Sequence, residues 1–293
     1  MNINEQASPP PGMVPTVADG DVRAGILEGI TIMEPPPAHE PMGFFTDSTI
    51  CIGCKACEVA CKQWNALPSD GMKWSGQSYD NTLHLSATTW RHVSFTEQAL
   101  PDGGVKWLFN SDVCKHCTAA PCQEACPTGA LIRNEYDDVY VQNDICNGCG
   151  YCVVACPFGV LGRSEEDGGA HKCTLCYDRQ RDGLEPACSK ACPTDSIRFG
   201  PVSELKDYAC QRVDELHAKG ETNAYLYGAD DAGEYKPLNA FFLLTEEPAA
   251  YNLPEAPRRP SAAMPLRYFW SAAIGVGLSV ASALLLADSR ERA

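Results

Sequence analysis

The sequence lacks the signatures of a catalytic chain. No GxGxxG dinucleotide loop, no P-loop and no zinc-protease helix occurs in its 293 residues. Its six histidines, at positions 39, 84, 92, 116, 171 and 217, are scattered rather than grouped, so nothing here transforms a substrate without a second polypeptide. Positive charge is scarce: 23 Lys and Arg stand against 38 Asp and Glu, a formal net charge of −15. That balance excludes nucleic acid as a partner, since such binding needs a basic face. No secretory signal is expected, because the first basic residue is Arg23 and no apolar run of signal length precedes it. Long apolar runs are missing too, with one exception near the C-terminus.

What is there is cysteine. A hydrophobic fraction of 44% and five Trp are enough for a folded core, and 17 Cys fall in tight groups. The first group is Cys51, Cys54, Cys57 and Cys61, and the second is Cys114, Cys117, Cys122 and Cys126, followed by Pro127. The third is Cys146, Cys149, Cys152 and Cys156, then Pro157; the fourth is Cys173, Cys176, Cys188 and Cys192, then Pro193. Sixteen thiolates in four quartets is the number that four 4Fe–4S cubes require. Cysteines two apart in a tight loop put their sulfurs on neighbouring irons of one cube. The fourth Cys of each run ligates the other cluster of a pair, as in bacterial two-cluster ferredoxins. That Cys is expected to begin a helix, with the following Pro in the first turn. Small residues between ligands (Gly53, Ala56, Gly148, Gly150) let backbone amides approach the cluster sulfurs.

Two other uses of cysteine compete. Zinc also takes CxxC pairs, but it does not explain three-Cys runs with a fourth Cys three residues on and then Pro. Disulfides across CxxC strain the bond geometry. Cys210 stands outside the scheme, in a helical stretch from Ser203 to Lys219, where a small buried core residue is expected. His116 and His171 lie near ligands, either placed by their loops or bonded to sulfur. Lys172, beside Cys173, is either solvated or placed to raise a cluster potential by its charge.

Short strands are expected at Leu131–Arg133, Val139–Gln142 and Ile197–Phe199, with a hairpin turn at Asn134–Asp138. The second and third quartets are close enough in sequence to form one ferredoxin-like module, 113–157, inserted between the halves of another, 47–112 and 158–200. The fold class is then α+β. On this nesting Cys51, Cys54, Cys57 and Cys192 bind one cluster, and Cys61, Cys173, Cys176 and Cys188 the next. Cys114, Cys117, Cys122 and Cys156 bind a third, and Cys126, Cys146, Cys149 and Cys152 a fourth. A Pro-rich arm (1–46) precedes the modules, either free or strapped across a partner, and an extension with a linker (201–265) follows them.

The exceptional apolar run, Phe269 to Ala287, is nineteen residues without a charge, about 28 Å as a helix, close to the hydrocarbon thickness of a bilayer. Arg267, Tyr268, Phe269 and Trp270 supply an interfacial anchor, and charges from Asp288 onward stop the run. A single transmembrane helix over 266–288 is expected, with Ser271, Gly275, Ser279 and Ala283 forming a stripe suited to close packing on another membrane helix. It contains no His, so it cannot hold haem.

Taken together, Ser48–Asn65 (STICIGCKACEVACKQWN), Tyr79-Asp80-Asn81, Leu85-Ser86-Ala87, Trp90, the CNGCGYC run from Cys146, Lys172–Cys176, Gly183–Cys188 and Cys192-Pro-Thr resemble the iron–sulfur (beta) subunit of membrane-bound formate dehydrogenases of the N/O type. The resemblance covers roughly residues 45–290. It implies a three-part complex of anaerobic respiration in the cytoplasmic membrane. A molybdenum or tungsten pterin (molybdopterin) subunit oxidises formate, this chain passes the electrons along its clusters, and a membrane cytochrome b subunit delivers them to quinone. It also implies that the cluster domain faces outward, into the periplasm. Related nitrate reductase chains usually replace one ligand by Trp; all sixteen positions here are Cys. The same conduit in a hydrogenase or another molybdopterin oxidoreductase is the nearest alternative, and a zinc-stabilised membrane scaffold is the alternative of another class.

Overall fold

A computed structural model describes residues 40–291 apart from 73, 77, 78, 102 and 231–236; side chains 263, 265 and 283–291 are also outside the description. The expected arm therefore lies outside the described residues up to position 39. Its end does not: Met42–Asp47 is a strand (β1).

The elements then run α1 (Ala56–Trp64), β2 (Arg91–Ala99), β3 (Val105–Val113), α2 (Pro121–Glu124), β4 (Leu131–Arg133), β5 (Val139–Val141), α3 (Tyr151–Ala155), β6 (Gly162–Arg163) and β7 (Ala170–His171). After these come α4 (Tyr177–Arg181), α5 (Ala187–Lys190), β8 (Ile197–Pro201), α6 (Val202–Ala218), β9 (Tyr225–Tyr227), β10 (Ala240–Leu244) and α7 (Met264–Glu291). Four strands form a mixed sheet in the order β8-β1-β10-β9, with β1 parallel to β10 and antiparallel to β8. Because side chains alternate across a strand, Phe45, Phe241 and Leu243 pack on α6, while Phe242 and Leu244 face the other way onto Leu108 and Tyr251, and Phe44 joins the cysteine-rich core. All five residues of β10 are buried, as expected for a strand covered on both faces.

This sheet is also the clamp on the cysteine loops. Asp47 N–H donates to Ser196 O (2.8 Å) and Ser196 Oγ to Asp47 O (2.7 Å), tying the chain before Cys51 to the chain after Cys192. Buried Asp47 also accepts from Arg212 Nε (2.9 Å) on α6 and, through Oδ1, from the Thr49 N–H (2.9 Å), which turns the strand into the first loop. β2 and β3 pair antiparallel over nine residues each, and β4 with β5 over three. The latter is the hairpin expected around Asn134–Asp138.

The helix expected near Cys210 is α6, but Cys210 is exposed. The buried face of α6 is Val202, Leu205, Ala209 and Leu216, and one step of 100° past Ala209 turns Cys210 to solvent. The C-terminal apolar run is helical, as α7. Among the described residues no helix is long and apolar enough to cross a membrane; the side chains of 283–287, needed to complete the expected span, are not among them.

Candidate metal centres

Three of the four cysteine runs lie on one plan: a loop of ligands, a short helix, then the last Cys at or beyond the helix end. Cys156 caps the C-terminus of α3, and Cys126 and Cys192 follow α2 and α5. The last Cys thus closes a helix rather than opening one, and Pro127, Pro157 and Pro193 terminate it, since Pro cannot continue the ladder. The first run has no Pro, and there α1 carries on past Cys61 to Trp64. Two glycines make the loops possible. Gly53 has φ +66°, and Gly148 has φ +68° with a hypothetical Cβ 2.3 Å from Gly168 O; an L side chain fits neither without strain.

The helices pack in two pairs, α1 with α5 and α2 with α3, so the first run meets the fourth and the second meets the third. Cys51 has Cys192 and Cys54 as electrostatic neighbours, and an opening of about 290 Å³ is lined by Cys51, Cys54, Cys57 and Cys192. Cys61 has Cys188, Cys176 and Cys57 in reach, and a second opening of about 250 Å³ is lined by Cys61, Cys173, Cys176 and Cys188. Cys117 neighbours Cys114, Cys156 and Cys122; Cys152 neighbours Cys146, Cys126 and Cys149.

The donor set fits an iron–sulfur cube. Among the described residues no three Cys, His, Asp or Glu side chains close on a single metal ion. The four thiols of the second opening come from three separate stretches of chain and line a common space without converging on one ion, a spread that a multi-atom core can bridge. Burial pushes the Cys57 and Cys122 thiols up to about 12, so a cation must displace their protons for them to ligate.

Hydrogen bonds already aim at several sulfurs. Leu175 N–H donates to Cys173 Sγ (3.3 Å), Ala170 N–H to Cys146 Sγ (3.5 Å) and Asn65 Nδ2 to Cys61 Sγ (3.7 Å). His116 is buried and its Nδ1 accepts from the Val139 N–H (3.1 Å), while His171 pairs with Asp167. Lys172 is not solvated: it is 2% exposed, its Nζ donates to Cys173 O (2.8 Å) and to Val139 O, and it lies in electrostatic reach of Cys114, Cys122 and Cys173. Sequence reasoning missed Arg91 and Lys115, both buried among the cysteines. Nothing in a sequence distinguishes a buried Arg in a strand from an exposed one. The β2–β3 hairpin was missed as well, although Pro101-Asp-Gly-Gly104 between two runs rich in β-formers is a signal that marks it.

Comparison with known proteins agrees with this geometry. Two family models, each described as a 4Fe-4S dicluster domain, match residues 50–130 and 105–202. A formate dehydrogenase iron–sulfur subunit of Haemophilus influenzae is 43% identical over 216 residues, 72% of this chain and 68% of that protein. The formate dehydrogenase-O iron–sulfur subunit of Escherichia coli is 36% identical over 263 residues, 88% of this chain and 86% of that protein. The B subunit of the anaerobic dimethyl sulfoxide reductase of Escherichia coli is 36% identical over 170 residues, 56% of this chain and 75% of that protein. The cofactors that fit are four 4Fe–4S clusters, and the role is electron transfer rather than catalysis. On its cluster-binding domains and on the extent of these matches, the chain belongs to the family of formate dehydrogenase iron–sulfur subunits.

Proposed function

We propose that the chain conducts electrons along a single row of four clusters, from a molybdopterin subunit that oxidises formate to a cytochrome b subunit in the membrane. Bound 4Fe–4S cubes supply one-electron carriers; the protein sets their order, burial and surrounding charge. The ligand sets are those of the nested modules: Cys51, Cys54, Cys57 and Cys192; Cys61, Cys173, Cys176 and Cys188; Cys114, Cys117, Cys122 and Cys156; Cys126, Cys146, Cys149 and Cys152.

The observation that carries the reading is which sets lie in electrostatic reach of one another. Cys57 of the first set is in electrostatic reach of Cys188 of the second, Cys173 of the second reaches Cys114 of the third, and Cys122 of the third reaches Cys152 of the fourth. That gives one unbranched order. Its two ends reach the surface, at exposed Cys54 and exposed Cys149. The chain leading into α7 is fastened beside the fourth set: Arg259 pairs with Glu124 at 3.2 Å, at the end of α2 and two residues from Cys126. We therefore take the fourth set as the exit toward the membrane and the first as the entry from the catalytic subunit.

Helix α7, with Phe269, Ile274, Val276 and Leu278 uncovered, is read as the bilayer anchor, and the cluster domain as facing outward; the latter rests on the family resemblance alone. The match to a dimethyl sulfoxide reductase subunit supports a second reading, the same row serving another molybdopterin oxidoreductase. Purification of the native complex decides between them. A pterin-containing partner and formate-dependent reduction of the clusters are expected; reduction by another substrate and not by formate favours the second reading. Protease cleavage of the domain in spheroplasts, and protection in inside-out vesicles, is expected for the outward orientation.

A further inference from the structure

Arg91, the first residue of β2, is one of the largest side chains in the molecule with almost no exposure, at 1%. A guanidinium stays protonated in proteins, and a buried charge without a partner is costly. Yet Arg91 is under-partnered. Its Nη1 donates to Ser111 Oγ (3.0 Å) and Ser111 O (3.3 Å), one face lies 4.6 Å from the centre of the Phe44 ring, and its Nε and Nη2 have no hydrogen-bond partner. Among the described residues no carboxylate forms an ion pair with it. The groups in its electrostatic reach that become negative on ligating a cluster are cysteines: Cys188, Cys57, Cys173 and Cys61. It lines the same opening as Cys61, Cys173, Cys176 and Cys188.

We infer that Arg91 is the charge partner of the cluster bound by Cys61, Cys173, Cys176 and Cys188, donating its free N–H groups to that cluster's sulfurs and holding its reduction potential up. The inference rests on the proposed ligand sets. Its direction follows from charge. A 4Fe–4S core with four thiolates is already anionic and gains a further negative charge on reduction, so a fixed cation in a low-dielectric pocket favours the reduced form. Hydrogen bonds to the sulfurs act in the same sense. The neighbouring cluster feels Arg91 less directly. Ser111 Oγ, which accepts from Arg91, lies 3.3 Å from Cys57 Sγ, and once that sulfur ligates as a thiolate only the hydroxyl can donate between them. Arg91 thus positions the charge environment of one cluster and, through Ser111, touches the next.

The test uses the full chain in its native complex, purified without oxygen, with redox titration followed by EPR on Arg91→Met, Arg91→Lys, Cys61→Ser and Cys176→Ser. Cys61→Ser and Cys176→Ser should alter one and the same signal. If they alter different signals the ligand sets are wrong, whatever Arg91 does. In Arg91→Met that signal should shift to lower potential, so that its reduced-to-oxidised ratio at the wild-type midpoint falls at least tenfold, about 59 mV for a one-electron couple. Arg91→Lys, which keeps the charge but loses the fork, should shift it less, and the signals altered by Cys126→Ser should not move. Loss of that signal alone in Arg91→Met also supports the partnership. Unchanged potentials in both Arg91 variants with iron retained overturn it, and so does an upward shift. Loss of all four signals in both variants makes Arg91 a residue of the fold only, and overturns it as well.

Discussion

The two middle cysteine sets of the proposed row and the two outer ones draw on similar loops and helices yet lie in opposite surroundings. Seven of the middle eight cysteines are buried, Cys156 being the half-buried one; each outer set has one buried cysteine, Cys57 or Cys152, and one exposed, Cys54 or Cys149. The middle is also where the buried cations are. Arg91 faces Cys188, Cys173 and Cys61, and Lys172 bridges the second and third sets, facing Cys114, Cys122 and Cys173. The outer sets are flanked instead by exposed apolar side chains, Ile52 at one end and Tyr151 with Val154 at the other. The proposed row, insulated and charge-compensated in the middle and open at its ends, would suit a conduit whose electrons enter and leave through partners.

That contrast can be broken most severely at its centre. Cys176→Ser should interrupt the row, reducing formate-driven quinone reduction in the native complex to background, while reduction of an artificial acceptor at the catalytic subunit persists. Lys172→Met should come next. Loss of a group that supports metal ligands typically costs about 10–100-fold in metal affinity, so iron loss to a chelator, followed by bleaching near 400 nm, should accelerate by about tenfold or more. Gly148→Ala acts on an outer set. Its φ of +68° and the contact with Gly168 O should cost about 1–3 kcal/mol, read as a lower melting temperature. Tyr151→Ser should change stability by no more than about 0.5 kcal/mol but weaken retention of the proposed membrane partner during purification, because that partner would cover the exposed Tyr151 and Val154.

The smallest effect concerns Asp138, buried behind Lys172, with Asn134 Nδ2 (3.0 Å) and Gln180 Nε2 (2.7 Å) donating to it. Burial raises its carboxyl to about 7, above the roughly 3.9 of an unfolded chain. The folded state therefore binds this proton more tightly, and the group's contribution to stability declines as pH rises toward 7. Melting temperature should fall between about pH 5.5 and 7.5 in the native chain, and less in Asp138→Asn.

The chemistry was legible because ligand spacing is a local property. Sixteen cysteines, three terminal prolines and the hairpin Leu131–Val141 could be read from adjacent residues. The helix polarity was misread, since Pro suits both the first turn of a helix and the residue after its last. What required three dimensions is long-range. The parallel pairing of β1 with β10 joins residues almost 200 positions apart; it puts a central strand where a loose arm was expected and gives the extension after residue 201 a share of the core. The burial of Arg91 and Lys172 was hidden for the same reason, since charge in a sequence reads as surface until the fold encloses it. Cys210 erred in the other direction, a residue type usually buried turned outward by its place on α6.

The most direct test of the nested row is Cys192→Ser in the native complex, with each EPR signal assigned beforehand by serine variants of Cys51 and Cys173. The signal abolished should be the one that depends on Cys51, about 140 residues away in sequence. Loss confined to the signal that depends on Cys173, the near neighbour in the chain, would contradict the arrangement on which the whole account stands.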